Sequence, residues 1–564
     1  MRIESEAGLR KMQDAGKKKL KPGKPRISVG LATCGAAVGG RKVYESLREA
    51  IVRAGADIDL VAVGCIGYCR EEPLVNITLP EKALVILHRV SEADADGIVR
   101  SVMDGKVPED KALCRVPSWD HVTGFVMQYG KGFDKIPLYK KVPFFAPQKK
   151  VILRNAGFIN PDDIDEYFAI GGYAAAWKAL HGMQPEAIIV EVEKSGLRGR
   201  GGAGFPTGLK WRITRDAPGG TDKYLICNAD EGDPGAYMNR NEMESDPHML
   251  IEGMIIGAYA MGLKNGLIYI RSEYPLAIER LGTAIRQARE HGLLGDNIMG
   301  TGFSFDIRIA RGAGAFVCGE STALVASIEG RTGRPHPRPP RLTDPEGGLF
   351  GKPSDLNNVE TWCNVPAIIA NGSGWYAAIG AANNAGTKVF SLVGKVDHVG
   401  LVEVPLGTTI KTIVFDAGNG GANGKKVKAV QTGGPSGGCI PLRLFDTPVD
   451  YESLNRAGTI MGSGGIVVMD EDTDMVDIAR YFTGFATGES CGKCVPCREG
   501  LKHILLLINR IQAGKATAKD LAMLQEVCET IAATSLCGLG QTAPNPVLTT
   551  LSYFREEYEA KVRP

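Results

Sequence analysis

The main domain of this chain is organised around the stretch Arg198-Gly199-Arg200-Gly201-Gly202-Ala203-Gly204-Phe205-Pro206-Thr207-Gly208, which Lys210 follows closely. Where side chains are missing, backbone amide groups can approach a phosphate, and Lys210 or Arg200 can supply positive charge. The stretch matches neither a P-loop nor the usual dinucleotide fingerprint. A tight packing turn therefore remains the alternative to phosphate binding.

A second motif, Asn228-Ala229-Asp230-Glu231-Gly232-Asp233-Pro234, comes directly after a predicted strand over residues 224 to 227. Ligands of open α/β sheets bind at the ends of strands, so this amide and these carboxylates are predicted to hydrogen-bond ribityl or ribose hydroxyl groups. A third loop, Gly312 to Ser321, precedes a predicted helix and again places glycines and a carboxylate beside a helix N-terminus. Three such loops in one domain indicate a single extended ligand.

A separate cysteine motif lies near the C-terminus, where Cys491, Cys494 and Cys497 are followed by Cys537. Three thiolates two residues apart can meet one cluster from a tight loop, and a distant fourth completes the coordination. Zinc sites usually pair two Cys-x-x-Cys knuckles, so the spacing favours a [4Fe-4S] cluster over structural zinc. Cys528 falls within a helical pattern and is predicted to be a buried core thiol.

The composition indicates a globular chain of several domains. It has 564 residues, 44% of them hydrophobic, and a formal net charge of +2, which gives no reason to expect nucleic-acid binding. No run of about 18 apolar residues predicts a membrane span, and no export signal is evident, so we expect a cytoplasmic protein. In a reducing compartment, thirteen cysteines favour metal or cluster ligation over disulfides.

The pattern along the chain predicts an α/β multi-domain protein. We expect a solvated basic tail, a small α/β domain, a linker, a large glycine-rich α/β domain, a β-rich module and a helical region. The corresponding ranges are 1–25, 26–106, 107–150, 151–385, 386–465 and 466–564.

From about residue 150 onward the chain resembles the NADH-binding flavoprotein subunit of respiratory NADH dehydrogenase and its relatives in NAD(P)-linked hydrogenases and formate dehydrogenases. The resemblance rests, in order, on Arg198 to Trp211, Cys227 to Pro234, Gly312 to Leu324, Asp355 to Thr361 and the four cysteines. It implies an FMN and NAD(P)-binding domain, then a ubiquitin-like β-grasp (SLBB) module, then a helical bundle that carries the [4Fe-4S] cluster.

The resemblance also implies the residues of the cofactor sites. The predicted FMN cradle consists of Gly199, Gly201, Gly202, Lys210, Asn228, Asp230, Gly319, Asn357 and Asn358. NAD(P)(H) would lie over the flavin, with Phe205 beside the adenine and the candidate catalytic residues Glu231 and Glu320 near the nicotinamide. The predicted cofactor-binding set is completed by Arg200, Asp233, Phe316, Ser321, Arg338 and Arg341.

The N-terminal domain resembles the thioredoxin-like [2Fe-2S] ferredoxins fused to hydrogenase-type members, with Cys34, Cys65 and Cys69 in the expected places. Five residues before Cys34, where the pattern has its remaining ligand, this chain has Val29. Two alternatives stay open: another residue completes a labile [2Fe-2S] cluster, or the domain has lost its cluster and serves for docking.

The N-terminal extension favours a hydrogenase-type soluble assembly over the respiratory complex. The implied partners are a small thioredoxin-like [2Fe-2S] subunit and a larger iron–sulfur catalytic subunit, and the implied reaction is hydride exchange between NAD(P)(H) and FMN, then single-electron transfer to the cluster. The terminal partner and any electron bifurcation are not determined. A non-catalytic scaffold with structural zinc is the rival of another class.

Two departures from the family pattern favour NADP(H) over NAD(H). Ser321 stands where NADH-using relatives have a second glutamate, whose charge would repel a 2′-phosphate. In the segment Arg338-Pro339-Pro340-Arg341, Arg341 replaces a phenylalanine and can bind phosphate. The alternative is that Arg341 points to solvent.

Overall fold

The computed structural model describes residues 2–220 and 222–563 and arranges them in four packed units. The first unit is a five-stranded sheet of order β2-β1-β3-β4-β5, in which only β1 and β2 run parallel. Its elements are β1 Arg26–Gly30, α2 Thr33–Ala37, α3 Gly40–Ala54, β2 Asp59–Val63, β3 Val75–Thr78, β4 Leu84–Leu87, α4 Ala95–Met103 and β5 Ala112–Val116.

The expected basic tail over residues 1–25 is wrong, because Glu6–Leu20 forms a helix, α1. Leu9 and Leu20 are buried, and the helix backbone at Gly16 lies so close to the carbonyl of Asp165 that an added Cβ would clash. Lys19 pairs with Asp163 and Asp165, at 2.9 and 2.6 Å. The sequence is dominated by lysines, so the few apolar residues at helical spacing gave a weak signal. They are buried only because the folded chain packs this helix against residues around Asp165.

The expected linker over 107–150 is also corrected, since its residues Ala112–Val116 form β5 of the first sheet. The segment continues into a hairpin of β6 Ser118–Asp120 and β7 Val126–Gln128. Phe144 and Phe145 are fully buried, and their rings stack on those of Tyr68 and Tyr139, with centroids 4.0 Å apart in both pairs. Aromatic packing of this kind fixes the segment between the first unit and its neighbours.

The second unit is a parallel four-stranded sheet of order β10-β9-β8-β11 with helices on its faces. Because all four strands are parallel, their carboxyl ends meet at one edge. The strands are β8 Tyr224–Ala229, β9 Asn265–Arg271, β10 Asp306–Gly312 and β11 Ser354–Asn358.

The helices of this unit carry most of the core. α10 is buried along almost its whole length, and the rings of Trp211 and Trp362 stack with centroids 5.6 Å apart. The helices are α5 Ile164–Ala169, α6 Ala174–Gly182, α7 Pro185–Ser195, α8 Thr207–Asp216, α9 Met238–Ser245, α10 Pro247–Met261, α11 Pro275–Glu290, α12 Ser321–Ile328, α13 Val359–Asn371 and α14 Ser373–Ala377.

The third unit is a mixed five-stranded sheet of order β15-β14-β18-β16-β17. The strand β18 pairs with both β14 and β16 and therefore belongs to this sheet. The unit thus extends to Asp470, past the expected boundary at residue 465. The elements are β12 Gly380–Ala381, β13 Asn384–Ala385, β14 Thr387–Gly394, β15 Gly400–Pro405, β16 Val427–Thr432, β17 Gly438–Pro441, α15 Tyr451–Arg456 and β18 Gly465–Asp470.

The fourth unit is a helical layer with its own apolar core. Cys528 is fully buried in that core, as its helical pattern predicted. The elements are α16 Met475–Gly488, α17 Val495–Gln512, β19 Ala516–Thr517, α18 Ala518–Thr534, α19 Gly538–Thr542, α20 Asn545–Tyr553, α21 Arg555–Glu559 and β20 Val562–Arg563.

Over residues 2–220 and 222–563, the structure contains no helix with the length and apolar character needed to cross a bilayer.

Candidate flavin, nicotinamide and cluster sites

The carboxyl ends of β8 and β11 form the centre of the candidate flavin site. Asn357 is in register with Cys227, and Asn358 with Asn228. The Asn228 side chain accepts from the amide of Asp230 at 3.0 Å and donates to the carbonyl of Gly319 at 2.9 Å. One amide side chain therefore joins the two predicted ligand loops at the sheet edge.

Asp230 is the clearest sign that this edge receives a ligand. Its carboxylate is buried, yet neither oxygen has a hydrogen-bond partner among the described residues. The nearest cation, the Nε of Arg271, is 3.8 Å away, too long for a hydrogen bond. Burial raises the pKa of Asp230 to about 7. An unpartnered buried carboxylate is costly, and hydroxyl donors such as those of a ribityl chain would satisfy it, so the residues fit FMN.

The glycine-rich loop supplies backbone donors beside this edge. Its base is closed by a hydrogen bond from the Gly199 amide to the carbonyl of Phe205, at 2.9 Å. At its tip, the amides of Gly201, Gly202 and Ala203 donate to no acceptor in the described chain. Free amides in a turn form an anion-binding concavity, which suits a phosphate.

The loop also serves as a packing turn, so the two alternatives from the sequence are not exclusive. An added Cβ at Gly201 would lie 3.1 Å from the Cβ of Asn358, and one at Gly202 would lie 3.2 Å from Gly462. Gly202 has φ near 118°, which favours glycine. The Tyr451 hydroxyl donates to the carbonyl of Gly199 at 2.8 Å. Tyr451 and Gly462 belong to the third unit, and their distance along the chain left no local signal for this contact.

The predicted role of Arg200, to supply charge to a phosphate, competes with contacts that its side chain makes within the protein. The guanidinium is fully buried and donates to the carbonyls of Arg198, Ala385 and Thr387 and to the hydroxyl of Tyr376. These contacts fix the glycine-rich loop to the third unit and leave the cation turned away from the ligand edge. Because its partners lie about 180 residues downstream, the sequence could not show this orientation.

Lys210 is the cation that the structure leaves at the cradle. It follows the glycine-rich loop on α8 and donates to the carbonyl of Leu356 at 2.9 Å and to the Oδ1 of Asn357 at 3.1 Å. Burial lowers its pKa. Nearby, the Oδ1 of Asp355 is buried without a partner among the described residues. The structure thus brings Lys210 to Asn357, one of the two predicted asparagines of β11.

The two candidate catalytic carboxylates cap helices. Glu231 accepts from the amides of Asn239 and Arg240 at 2.9 and 3.1 Å, at the start of α9. Glu320 accepts from the amides of Thr322 and Ala323 at 2.9 and 3.0 Å, at the start of α12. Both carboxylates therefore help to set the course of a ligand loop.

Asp233 and Phe316 both make contacts with neighbouring units. The Asp233 carboxylate is buried and accepts from the hydroxyl of Ser463, which anchors the loop to the third unit. Phe316 lies against the ring of Phe485, with centroids 5.4 Å apart, and its amide donates to Glu489 at 2.9 Å. The structure therefore places Phe316 toward the helical unit, whereas Phe205 is 43% exposed at the rim of the site.

The predicted nicotinamide-specificity residues form a polar group at the surface. Arg338 donates to the carboxylate of Glu320 and, at 2.5 Å, to the hydroxyl of Ser321. Arg341 is exposed, and its backbone amide donates to Asp344 at 2.7 Å. The structure thus brings Arg338 to Ser321 and leaves Arg341 at the surface of the same loop.

The four C-terminal cysteines line one small cavity. Cys494 is the N-cap of α17, Cys497 lies in its first turn, and Cys537 is the N-cap of α19, so two helix N-termini face the thiols. Burial, with three neighbouring thiols, raises the pKa of Cys497 to about 11, and a cationic iron core would offset that cost. The cavity is otherwise lined mainly by apolar residues, among them Val317, Leu536 and Leu539. This donor set fits a [4Fe-4S] cluster.

The three N-terminal cysteines also lie together, at the contact between the first and second units. Arg240 donates to the Sγ of Cys34 at 3.4 Å, and the Sγ of Cys69 lies 3.4 Å from the hydroxyl of Tyr237. The Cys65 thiol adjoins that of Cys69. The sequence identified these thiols but not Tyr237 or Arg240, which reach them from α9 and the residue before it.

Comparison with known proteins agrees with both cofactor sites. The Nuo51 FMN-binding domain matches residues 192–367, and the NADH-ubiquinone oxidoreductase-F iron-sulfur binding region matches residues 477–561. NADP-reducing hydrogenase subunit HndC of Solidesulfovibrio fructosivorans is 53% identical over 415 residues, covering 74% of this chain and 84% of that protein. An NADH-quinone oxidoreductase subunit of Escherichia coli K12 is 42% identical over 401 residues, covering 71% and 90%.

The similarity extends to a solved structure. A chain in the crystal structure of an NAD+-reducing [NiFe]-hydrogenase in the H2-reduced state superposes with a TM-score of 0.64 at 28% identity. The superposition covers 99% of this chain and 90% of that one, so it includes the N-terminal unit.

Proposed function

Since the chain belongs to the family of FMN- and [4Fe-4S]-binding flavoprotein subunits of NADH- and NADP-linked oxidoreductase and hydrogenase complexes, we propose that it is the diaphorase subunit of a hydrogenase-type assembly. In this role it exchanges electrons between a nicotinamide dinucleotide and partner subunits. The direction of flow depends on the potential of the partner.

One turn, Phe316–Gly319, carries this proposal because it contacts both cofactor sites. The carbonyl of Gly319 accepts from Asn228, and its Cα lies against the loop that carries Asp230. Two residues earlier, Val317 lines the cavity of the four cysteines. A single short turn therefore separates the flavin edge from the cluster cavity, which suits direct electron transfer between them.

The residues of the cradle bind and orient the flavin. Asp230 would accept hydrogen bonds from hydroxyl groups of the ribityl chain, while the free amides of the glycine-rich loop and Lys210 would hold the phosphate end. Glu231 and Glu320 keep the surrounding loops in place through their helix caps. Bound FMN supplies the conversion between two-electron hydride chemistry and one-electron transfer.

The nicotinamide that we propose is NADP(H). Ser321 places a hydroxyl, and no second carboxylate, beside Glu320, and Arg338 already pairs with Glu320. Arg341 is exposed on the same loop and able to meet a 2′-phosphate. The similarity to a hydrogenase subunit described as NADP-reducing supports the proposal.

We place the protein in a hydrogenase-type assembly because the N-terminal unit has a counterpart in the superposed hydrogenase chain. The proposed partners are a small thioredoxin-like [2Fe-2S] subunit and a larger iron–sulfur subunit.

Anaerobic reduction of the purified full-length protein tests the function. Addition of NADPH should bleach the flavin absorbance and produce the electron paramagnetic resonance (EPR) signal of a reduced cluster in a single turnover. A protein with zinc at the four cysteines and no visible absorbance would contradict the proposal. So would a flavoprotein that neither nicotinamide reduces.

A further inference from the structure

The three N-terminal thiols lack a fourth thiolate, and strand β1 cannot provide a ligand at the expected position. Val29 is fully buried in β1, where its side chain packs in the apolar core of the first unit. Any further ligand must therefore come from another part of the chain.

Glu72 brings a carboxylate to the end of β1. It follows the turn Cys69–Glu71, and its carboxylate adjoins the Cys65 thiol. A Cβ added at Gly30, directly after Val29, would lie 3.4 Å from the Oε2 of Glu72, and one added at Gly35, directly after Cys34, would lie 3.1 Å from it. The carboxylate thus lies between the end of β1 at Gly30 and the residue after Cys34.

The Glu72 carboxylate is buried and only half satisfied. Its Oε2 accepts from the amide of Leu74 at 2.9 Å, while its Oε1 has no partner among the described residues, and the residue is 8% exposed. A buried carboxylate that carries a free oxygen and adjoins the Cys65 thiol is an arrangement that a cationic centre would stabilise.

Donors around the thiols complete the site. Arg240 donates to Cys34, and the Tyr237 hydroxyl contacts Cys69. The partly buried Lys150 is held near Cys65 by donation to the carbonyl of Ile66. Three thiolates and one carboxylate around an iron core leave a net negative charge, which Arg240 and Lys150 would offset. Hydrogen-bond donors to sulfur also tune the reduction potential of such centres.

We propose that Glu72 takes the place of the missing thiolate, so that Cys34, Cys65, Cys69 and Glu72 hold a binuclear iron–sulfur cluster. Within residues 2–220 and 222–563, no three His, Cys, Asp or Glu side chains are grouped as ligands of a single ion, either at the N-terminal thiols or at the four C-terminal cysteines. This site is independent of the nicotinamide assignment.

The site is attached to the flavin edge through α9. Arg240 and the adjacent residue Asn239 donate their backbone amides to Glu231, and the side chain of Asn239 accepts from Asn358 at 2.6 Å. A centre held by Arg240 thus shares one helix with the flavin loops, which would make it an additional electron carrier beside the flavin.

The full-length protein, purified without oxygen, provides the test. After reduction with dithionite, we expect EPR to show two cluster signals, of which the binuclear one relaxes more slowly and remains visible at higher temperature. Glu72→Gln should abolish that signal and lower iron and sulfide by one binuclear cluster per chain, with FMN and the C-terminal signal retained. Glu72→Cys should restore the signal with shifted g values.

Glu71→Gln is the matched control, because Glu71 pairs with His88 and Arg89 and not with the thiols. It should keep both signals. The proposal is overturned if Glu72→Gln retains the slowly relaxing signal. It is equally overturned if the unmodified protein, reconstituted with iron and sulfide, holds only the C-terminal cluster, or if it takes up zinc at the N-terminal thiols in preference to iron.

Discussion

The side-chain amide of Asn228 donates to the carbonyl of Gly319, 2.9 Å away, and joins the end of β8 to the turn that borders the cluster cavity. The same side chain accepts from the amide of Asp230. Asn228 therefore fixes the position of the unpartnered Asp230 carboxylate and also the turn that separates the flavin edge from the cluster cavity.

Asn228→Ala should weaken FMN binding, because the loop with Asp230 and the turn with Gly319 lose their common anchor. Two hydrogen bonds are removed, each worth about 1 kcal/mol, so we expect roughly a tenfold to thirtyfold increase in Kd. Titration of the apoprotein by flavin fluorescence measures the change. Asn371→Ala removes a comparable amide contact, to Val122, far from the site and should leave Kd unchanged. An unaltered Kd in Asn228→Ala would show that this link does not shape the cradle.

Flavin affinity should depend on pH through Asp230, whose pKa is raised to about 7 by burial. Hydroxyl donors favour the ionised carboxylate, so binding should strengthen as pH rises toward about 7 and level off above it. Below the pKa, the change approaches about tenfold in Kd per pH unit. Riboflavin is the appropriate ligand, since the phosphate of FMN has its own pKa near about 6. Asp230→Asn should flatten the profile, and a flat profile in the unmodified protein would refute this role.

Arg200→Met should reduce stability more than flavin affinity, because the guanidinium holds backbone carbonyls and not the ligand. Loss of its buried hydrogen bonds is expected to cost about 3–5 kcal/mol in the free energy of unfolding. Thermal and urea unfolding measure this, alongside the Kd for FMN. The control is Arg212→Met, whose partially exposed ion pairs with Glu186 and Glu193 should contribute less than about 1 kcal/mol. A selective loss of FMN binding in Arg200→Met would restore the phosphate role.

Cys494→Ser should leave FMN bound and stop electron transfer beyond it, since three thiolates hold a cluster poorly. Cluster EPR and reduction of an artificial acceptor follow the two effects separately. Cys528→Ser changes a buried thiol of the same unit outside the cavity and should keep the cluster signal. A normal reduced-cluster signal with full activity in Cys494→Ser would show that the cavity does not ligate iron through this residue.

The unmodified protein should prefer NADPH to NADH, and Ser321→Glu with Arg341→Phe should shift the preference toward NADH. A restored carboxylate opposes a 2′-phosphate by at least ~1 kcal/mol, a factor of about five in the ratio of kcat/KM values. Steady-state reduction of an artificial acceptor with each nucleotide measures the ratio. Arg331→Phe alters an exposed arginine that pairs with Glu329 and should not move it. A tenfold preference of the unmodified protein for NADH would end this assignment.

Part of the fold and of the site could be predicted from the sequence because their signals are local. Three cysteines separated by two residues each can ligate one cluster from a single loop, so this motif predicts a cluster site without knowledge of the rest of the fold. A predicted strand before Asn228 and carboxylates after it indicate a ligand at a sheet edge, because the end of a strand can be read from the local sequence pattern. Asn228 accordingly lies in register with Asn358 at the ends of β8 and β11, and Lys210 contacts Asn357.

Tertiary structure alone decided which way several side chains point, because their partners are remote in the chain. Arg200 binds carbonyls about 180 residues away, and Arg338 pairs with Glu320 from 18 residues away. The lysine-rich residues 6–20 gain a partner only where α5 lies beside them. Likewise Glu72 reaches the end of β1 at Gly30 because β1 and β3 pair and place distant positions of the chain side by side. Sequence spacing specified which groups are present, and long-range packing specified which of them remain free to bind a ligand.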